Sequence, residues 1–122
     1  MKLRLELFVA DVPASIEFYR RALNFQVVGD TSEQYTMLSN DEAVISINKR
    51  DALGPGHPLR AASGERLGLG IEIVLSVEDV EGFYNVAKGG DHLISELAFQ
   101  PWGLRDFRIV DPDGYYIRVT SR

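Results

Sequence analysis

The first residues of the chain alternate between polar and apolar side chains. Residues 2–9 read KLRLELFV. Such a segment divides its side chains between two faces, with Leu3, Leu5, Leu7 and Val9 on one and Lys2, Arg4, Glu6 and Phe8 on the other. Alternation with a period of two predicts a strand that is buried on one side only.

The residues after this strand carry the signals of a helix start. Asp11 has the side chain of an N-cap, and Pro13 falls in the first turn, where its missing N–H costs nothing. The helix is predicted to run to about Leu23. Its expected apolar stripe follows helical spacing through Ile16, Tyr19, Arg20 and Leu23, widened by Phe18 and Ala22.

The rest of the chain repeats this order of elements. Turn signals and alternation predict strands at 25–28, 34–39 and 42–49, a long loop at 50–66, a strand at 71–77, a helix from Asp79 to about 88, and strands at 92–98, 105–110 and 115–120. A loop this long in a compact domain is often functional.

Two sets of positions show that the halves correspond. Val9–Val12 resembles Val77–Val80, 68 positions later, and each precedes a helix that contains a Phe-Tyr pair. The segment from Asp41 to Asn48 aligns with 113–120, 72 positions later. Each half therefore reads β-α-β-β-β.

This repeat predicts one domain over residues 1–122. The expected parts are a first βαβββ module at 1–49, a linker loop at 50–66 and a second βαβββ module at 67–122.

These motifs resemble those of the vicinal oxygen chelate superfamily, which includes glyoxalase I-like, bleomycin-resistance-like and extradiol-dioxygenase-like proteins. The resemblance rests on V-x-D ahead of an F-Y helix, on its internal repeat, and on the closing segment 107–114, FRIVDPDG. It implies an α+β fold in which two βαβββ modules form curved mixed sheets around a cleft. For a chain of this length it also implies a homodimer.

In the metal-using members, the resemblance implies a divalent ion held by His, Gln or Glu on the first and last strands of each module. The matching positions here are Arg4, Ser46, Glu72 and Arg118. Arginine stays protonated and has no lone pair to donate, so a cation would be repelled. His57, in the Gly/Pro loop, and His92 lie away from these positions. We therefore expect no metal and no cofactor.

The matched positions also fall on the polar faces of their strands, so they are expected to point into the cleft. Arg4, Glu72 and Arg118 could close the cleft as a salt-bridged network, or could leave one arginine to bind an anionic or carbonyl group. Both can hold at once, with Glu72 orienting the arginines. Trp102 either packs in the core or a dimer interface, or forms an aromatic wall for a planar ligand. The predicted ligand-binding residues are Arg4, Phe8, Ser46, Asn48, Glu72, Trp102, Tyr116 and Arg118. Glu72 is the one candidate for a catalytic residue.

Composition narrows the class of partner. The formal net charge of −5 argues against nucleic acid and against anionic membranes, both of which attract basic surfaces. The chain has no cysteine, which excludes disulfides and thiolate sites. No run is long and apolar enough to span a bilayer, and a cytoplasmic protein is expected.

Three functions remain open. The first is a metal-free protein that binds a small organic molecule, anionic or aromatic, as the antibiotic-sequestering relatives do. The alternative is a lyase, isomerase or dioxygenase of the superfamily, with a shifted metal site or with acid–base chemistry through Glu72. The third is a small partner or regulatory subunit with a vestigial cleft that no longer binds a ligand.

Overall fold

Each half of the chain supplies one helix and one four-stranded sheet in the computed structural model, which describes residues 1–122. Contacts divide the chain into a first unit, Met1–Glu65, and a second unit, Arg66–Arg122. The elements of the first unit are β1 (Leu5–Val9), α1 (Val12–Leu23), β2 (Gln26–Val28), β3 (Tyr35–Asn40), β4 (Ala43–Lys49) and a 3₁₀ turn (Arg50–Ala52). Those of the second are β5 (Ile73–Val77), α2 (Val80–Ala87), β6 (Leu93–Phe99), β7 (Arg105–Val110) and β8 (Tyr116–Ser121).

The two sheets have the same topology. Their strand orders are β1-β4-β3-β2 and β5-β8-β7-β6, and in each the first strand pairs parallel with the last while the other pairs are antiparallel. This confirms the predicted α+β class with two βαβββ modules and mixed sheets. Neither helix is long and apolar enough to cross a membrane.

The sequence repeat is reproduced in the register of the strands. Leu5 pairs with Ile45 in the first sheet, and Ile73 pairs with Ile117 in the second. These are the same offsets, 68 and 72 positions, that the motifs show. Residues related by the repeat therefore occupy equivalent places in the two sheets.

Helix α1 begins and ends where local chemistry predicts. The Asp11 side chain accepts a hydrogen bond from the Ala14 N–H at 3.1 Å, and Asn24 ends the helix in the left-handed conformation with φ 54°. Its buried residues are Val12, Ser15, Phe18, Tyr19 and Leu23. The predicted stripe was therefore wrong at Arg20, which is exposed, and Ile16 is only half-buried. The side of α1 that packs against β3 and β4 includes Tyr19 but not the next residue, Arg20. The guanidinium of Arg20 therefore stays in water.

The first strand of each unit is shorter than predicted. β1 begins at Leu5 and β5 at Ile73, so Arg4 and Glu72 each lie immediately ahead of a strand. Leu3, expected on the buried face, is 77% exposed. Pairing with the parallel partner β4 begins only at Leu5, opposite Ile45, so the residues ahead of Leu5 do not join the sheet.

Candidate functional site

A tight hairpin between β6 and β7 presents Trp102. Gly103 N–H donates to the Gln100 carbonyl at 3.0 Å, and Gln100 N–H donates to the Leu104 carbonyl at 2.8 Å. Pro101 suits the first position of such a three-residue loop, and Gly103, with φ 89°, takes the left-handed position at its end. The loop leaves the Trp102 side chain 53% exposed.

Strand β7 separates a core face from a charged face. Phe107 and Ile109 are fully buried in the core, while Asp106 and Arg108 alternate with them and point to the other face. Arg118 on β8 is the direct cross-strand partner of Arg108. Two like charges opposite each other would be unfavourable without anions between them.

Two carboxylates supply those anions. Glu72 approaches both guanidiniums, with Oε1 3.1 Å from Arg118 Nη2 and Oε2 3.4 Å from Arg108 Nε. Asp106 does the same from the other side, with Oδ1 3.2 Å from Arg108 Nη1 and Oδ2 3.9 Å from Arg118 Nη1. The four side chains Glu72, Asp106, Arg108 and Arg118 form what we call the charged ring, in which positive and negative groups alternate.

The two carboxylates of the charged ring differ in burial. The Asp106 side chain is completely buried and also accepts a hydrogen bond from Gln100 Nε2 at 2.9 Å. The Glu72 side chain is 34% exposed and lies ahead of β5. Asp106 is therefore the inner counter-ion of the ring, and Glu72 is the outer one.

The outer side of the ring adjoins the indole of Trp102. The guanidinium carbon of Arg118 lies 5.6 Å from the centre of the Trp102 ring, within the range of a cation–π contact. Arg118 Nε is buried yet donates no hydrogen bond, and Asp106 Oδ2 and Ser95 Oγ are buried without a hydrogen-bond partner as well. Ser95 pairs with Arg108 in register, so these three atoms belong to one sheet.

The second unit thus brings together Glu72, Trp102 and Arg118 from the predicted set. Of the network foreseen for Arg4, Glu72 and Arg118, the ion pair between Glu72 and Arg118 is present, whereas Arg4 pairs with Glu6. Tyr116 lies two residues before Arg118 on β8, and the guanidinium carbon of Arg66 is 5.8 Å from the centre of its ring.

The predicted residues of the first unit make a mostly uncharged set of contacts. Ser46 is fully buried, and its hydroxyl lies 3.0 Å from the Tyr35 hydroxyl. Arg4 pairs with Glu6 at 2.9 Å, and Asn48 donates to the same carboxylate at 3.4 Å. Phe8 is half-buried and pairs with Asn48 across β1 and β4.

Three residues of the second unit were missed in the sequence. Asp106 and Arg108 alternate with Phe107 and Ile109, and this alternation was a sufficient signal for their place on the polar face. Gln100 carried no such signal, because its contact with Asp106 depends on how the hairpin folds back.

The carboxylates and histidines do not form a metal-binding group. No cluster of three or more His, Cys, Asp or Glu side chains has the proximity to hold an ion. His92 Nδ1 lies 2.9 Å from the Val110 carbonyl, and His57 Nδ1 accepts a hydrogen bond from the Leu59 N–H at 3.1 Å.

Comparison with known proteins identifies related sequences and folds. The family model described as Glyoxalase/Bleomycin resistance protein/Dioxygenase superfamily matches residues 3–119. No curated protein matches significantly.

Among solved structures, a protein of unknown function from Agrobacterium tumefaciens str. C58 is 27% identical, with a TM-score of 0.81 over 100% of this chain and 94% of that one. A glyoxalase/bleomycin resistance protein/dioxygenase family enzyme from Burkholderia phytofirmans PsJN is 20% identical, with a TM-score of 0.78 over 97% and 95% of the two chains. A lactoylglutathione lyase from Agrobacterium tumefaciens is 15% identical, with a TM-score of 0.72 over 99% and 92%. At these two lower identities the likeness supports the fold alone.

Proposed function

The chain belongs to the Glyoxalase/Bleomycin resistance protein/Dioxygenase superfamily, and on that premise we propose that it binds a small organic molecule without a metal ion. The binding surface is the outer side of the charged ring together with the indole of Trp102. This is the mode of action that resemblance to the antibiotic-sequestering relatives implies.

The observation that carries the proposal is the stacking of Arg118 against Trp102. A guanidinium can donate two parallel hydrogen bonds to a carboxylate or carbonyl group, and an indole face offers a large flat surface to an aromatic ring. Trp102 is half-exposed at the tip of a well-defined hairpin. Tryptophan, with a large apolar face and one polar N–H, is enriched at binding interfaces.

Metal-free binding is supported by the identity of the groups at this place. Both carboxylates of the charged ring already face two guanidiniums each. A divalent ion would have to take a carboxylate from its arginines and remain close to both positive charges. Coulomb repulsion over such short distances opposes that arrangement.

The enzyme alternative has weaker support. A general base needs an oxygen that is free to take the substrate's proton, yet each oxygen of Glu72 already contacts a guanidinium. A shifted metal site would require a group of ligands that the structure does not contain.

We also propose that the protein acts as a homodimer. Several large apolar side chains of the second unit are exposed, among them Val74, Ile94 and Phe99. Burying such side chains against a second copy would remove apolar surface from water.

A ligand screen tests the binding function directly. Purified protein is screened by thermal shift against small organic molecules that include aromatic acids, aromatic amides and neutral aromatics. Binders should raise the melting temperature of the wild type, and Arg118→Ala should weaken their binding at least about tenfold, since one charge-assisted contact is lost. The matched control is Arg122→Ala, which removes another arginine of the same unit from an exposed ion pair with Glu78.

Two results would contradict the proposal. One is equal binding by the wild type and the Arg118→Ala variant for every hit of the screen. The other is stoichiometric nickel, iron, manganese or zinc in metal analysis of the purified protein.

A further inference from the structure

The charged ring needs one negative charge on its outer side. Arg108 and Arg118 contribute two positive charges, and the buried Asp106 balances one of them from within the fold. The remaining positive charge is balanced by Glu72. The ring is therefore neutral only while a carboxylate occupies the place that Glu72 takes.

Glu72 occupies this place as a bridging group. Its two oxygens contact different arginines, at 3.1 and 3.4 Å, so the geometry accepts a planar carboxylate across both guanidiniums. Glu72 lies outside the pairing of β5 and is the more exposed of the two anions. Moving the Glu72 side chain away from the arginines would leave the backbone hydrogen bonds of the sheet intact.

We propose that Glu72 is an internal substitute for the ligand's own carboxylate, and that ligand binding displaces it from Arg108 and Arg118. This inference rests on the proposed binding function and names its ligand class, an aromatic carboxylate. The aromatic part of the ligand lies against Trp102, which already contacts the guanidinium of Arg118.

Exchange, and not simple addition, follows from the charges. An anion added to a ring that still contained Glu72 would give the ring a net negative charge and would be repelled by the nearby Glu72 carboxylate. An anion that replaces Glu72 restores neutrality. A neutral amide of the same shape would displace the Glu72 carboxylate without bringing a negative charge of its own. The two arginines would then lack one counter-ion, so the ring discriminates against the amide.

Tryptophan fluorescence gives a direct readout, because Trp102 is the one tryptophan of the chain. Benzoate and its neutral analogue benzamide are titrated into the wild type, Glu72→Gln and Glu78→Gln while the emission of Trp102 is followed. Glu78→Gln is the matched control, because it also removes one negative charge and one arginine ion pair from the second unit, at a side chain that is 85% exposed. Glu72→Ser is a second variant, and thermal unfolding checks that each variant is folded.

The inference predicts that Glu72→Gln and Glu72→Ser bind benzoate about tenfold more tightly than the wild type, because no internal carboxylate competes. Glu78→Gln should bind like the wild type, and benzamide should bind no more tightly to the Glu72 variants. Arg118→Ala in the Glu72→Gln background should remove benzoate binding.

Equal benzoate affinity in Glu72→Gln and Glu78→Gln would overturn the displacement of Glu72. Equal tightening for benzamide would overturn the carboxylate class, as would the absence of benzoate binding in every variant. Each of these results leaves the proposed function standing if neutral ligands of the screen still depend on Arg118. The loss of that dependence is what would reject the proposed function itself.

Discussion

The polar faces of the two sheets share one backbone plan but differ in chemistry. Tyr35 pairs with Asn48, and Asp106 pairs with Thr120, so Tyr35 and Asp106 occupy equivalent places, as do Ser46 and Arg118. In the first sheet this pair of places holds a hydrogen bond between two hydroxyls at 3.0 Å. In the second it holds a carboxylate and a guanidinium.

This difference shows what a duplicated fold leaves open to change. The core faces are both apolar, with Leu38, Ile45 and Ile47 in the first unit and their counterparts Ile109, Ile117 and Val119 in the second. The opposite faces are not needed for core packing, so their residues can vary with function. At the equivalent places of these faces the charged groups lie in the second sheet, and the binding chemistry is therefore proposed there.

The largest effect is expected from removing the inner anion of the charged ring. Asp106→Ala leaves Arg108 and Arg118 opposite each other with only the partly exposed Glu72 between them. Breaking a buried pair in this way typically costs about 3–5 kcal/mol, and the partial exposure of the arginines places the expected loss near the lower end, about 3 kcal/mol. Urea denaturation measures it as a lower free energy of unfolding.

Asp106→Asn serves as the control for shape. It keeps the size of the side chain and the chance to hydrogen-bond while it removes the charge. If the charge of Asp106 is what stabilises the ring, Asp106→Asn should lose nearly as much stability as Asp106→Ala. A loss well below that of Asp106→Ala would assign the effect to packing and hydrogen bonding instead. Wild-type stability in Asp106→Ala would contradict the role of Asp106 as inner counter-ion.

A smaller effect is expected at the equivalent place in the first sheet. Tyr35→Phe removes the hydroxyl that contacts Ser46 and leaves a neutral neighbour. A hydrogen bond of this kind contributes about 1 kcal/mol, so the free energy of unfolding should fall by about that amount. A loss as large as that of Asp106→Ala would remove the contrast between the two faces.

The smallest effect is expected where charge is fully at the surface. Glu17→Gln removes an ion pair with Arg21 on α1 whose partners are mostly exposed, at an N–O distance of 3.6 Å. Surface pairs at this spacing contribute about 0.3–0.5 kcal/mol and are screened by salt. Urea denaturation at low and high salt should therefore show a change within about 0.5 kcal/mol that shrinks further at high salt.

Local patterns were enough for most of the fold. Asp11 and Asp79 cap their helices as predicted, with the side chains accepting from the N–H groups of Ala14 and Gly82. The repeated offsets of 68 and 72 positions showed that the halves correspond, and they recur in the register of the two parallel strand pairs. These signals succeed because caps, turns and alternation depend on residues that are neighbours in the chain.

The candidate site was predicted less completely. Arg118 and Glu72 were foreseen from the polar faces and the family positions, and Trp102 as an aromatic residue ahead of a strand. Asp106 and Arg108 were overlooked. The starts of β1 and β5 were placed too early, because alternation along one strand does not show where its pairing with β4 or β8 begins.

By itself, the order of residues determined the two βαβββ modules, their helix caps and the division of each strand into a core face and a polar face. Only the tertiary structure decided which charges meet. Glu72, Asp106, Arg108 and Arg118 lie on three separate stretches of the chain, and their pairing depends on the register of β7 with β8 and of β8 with β5. Electrostatic interaction acts through distance in space, so the partner of each ion was settled only when these strands were aligned.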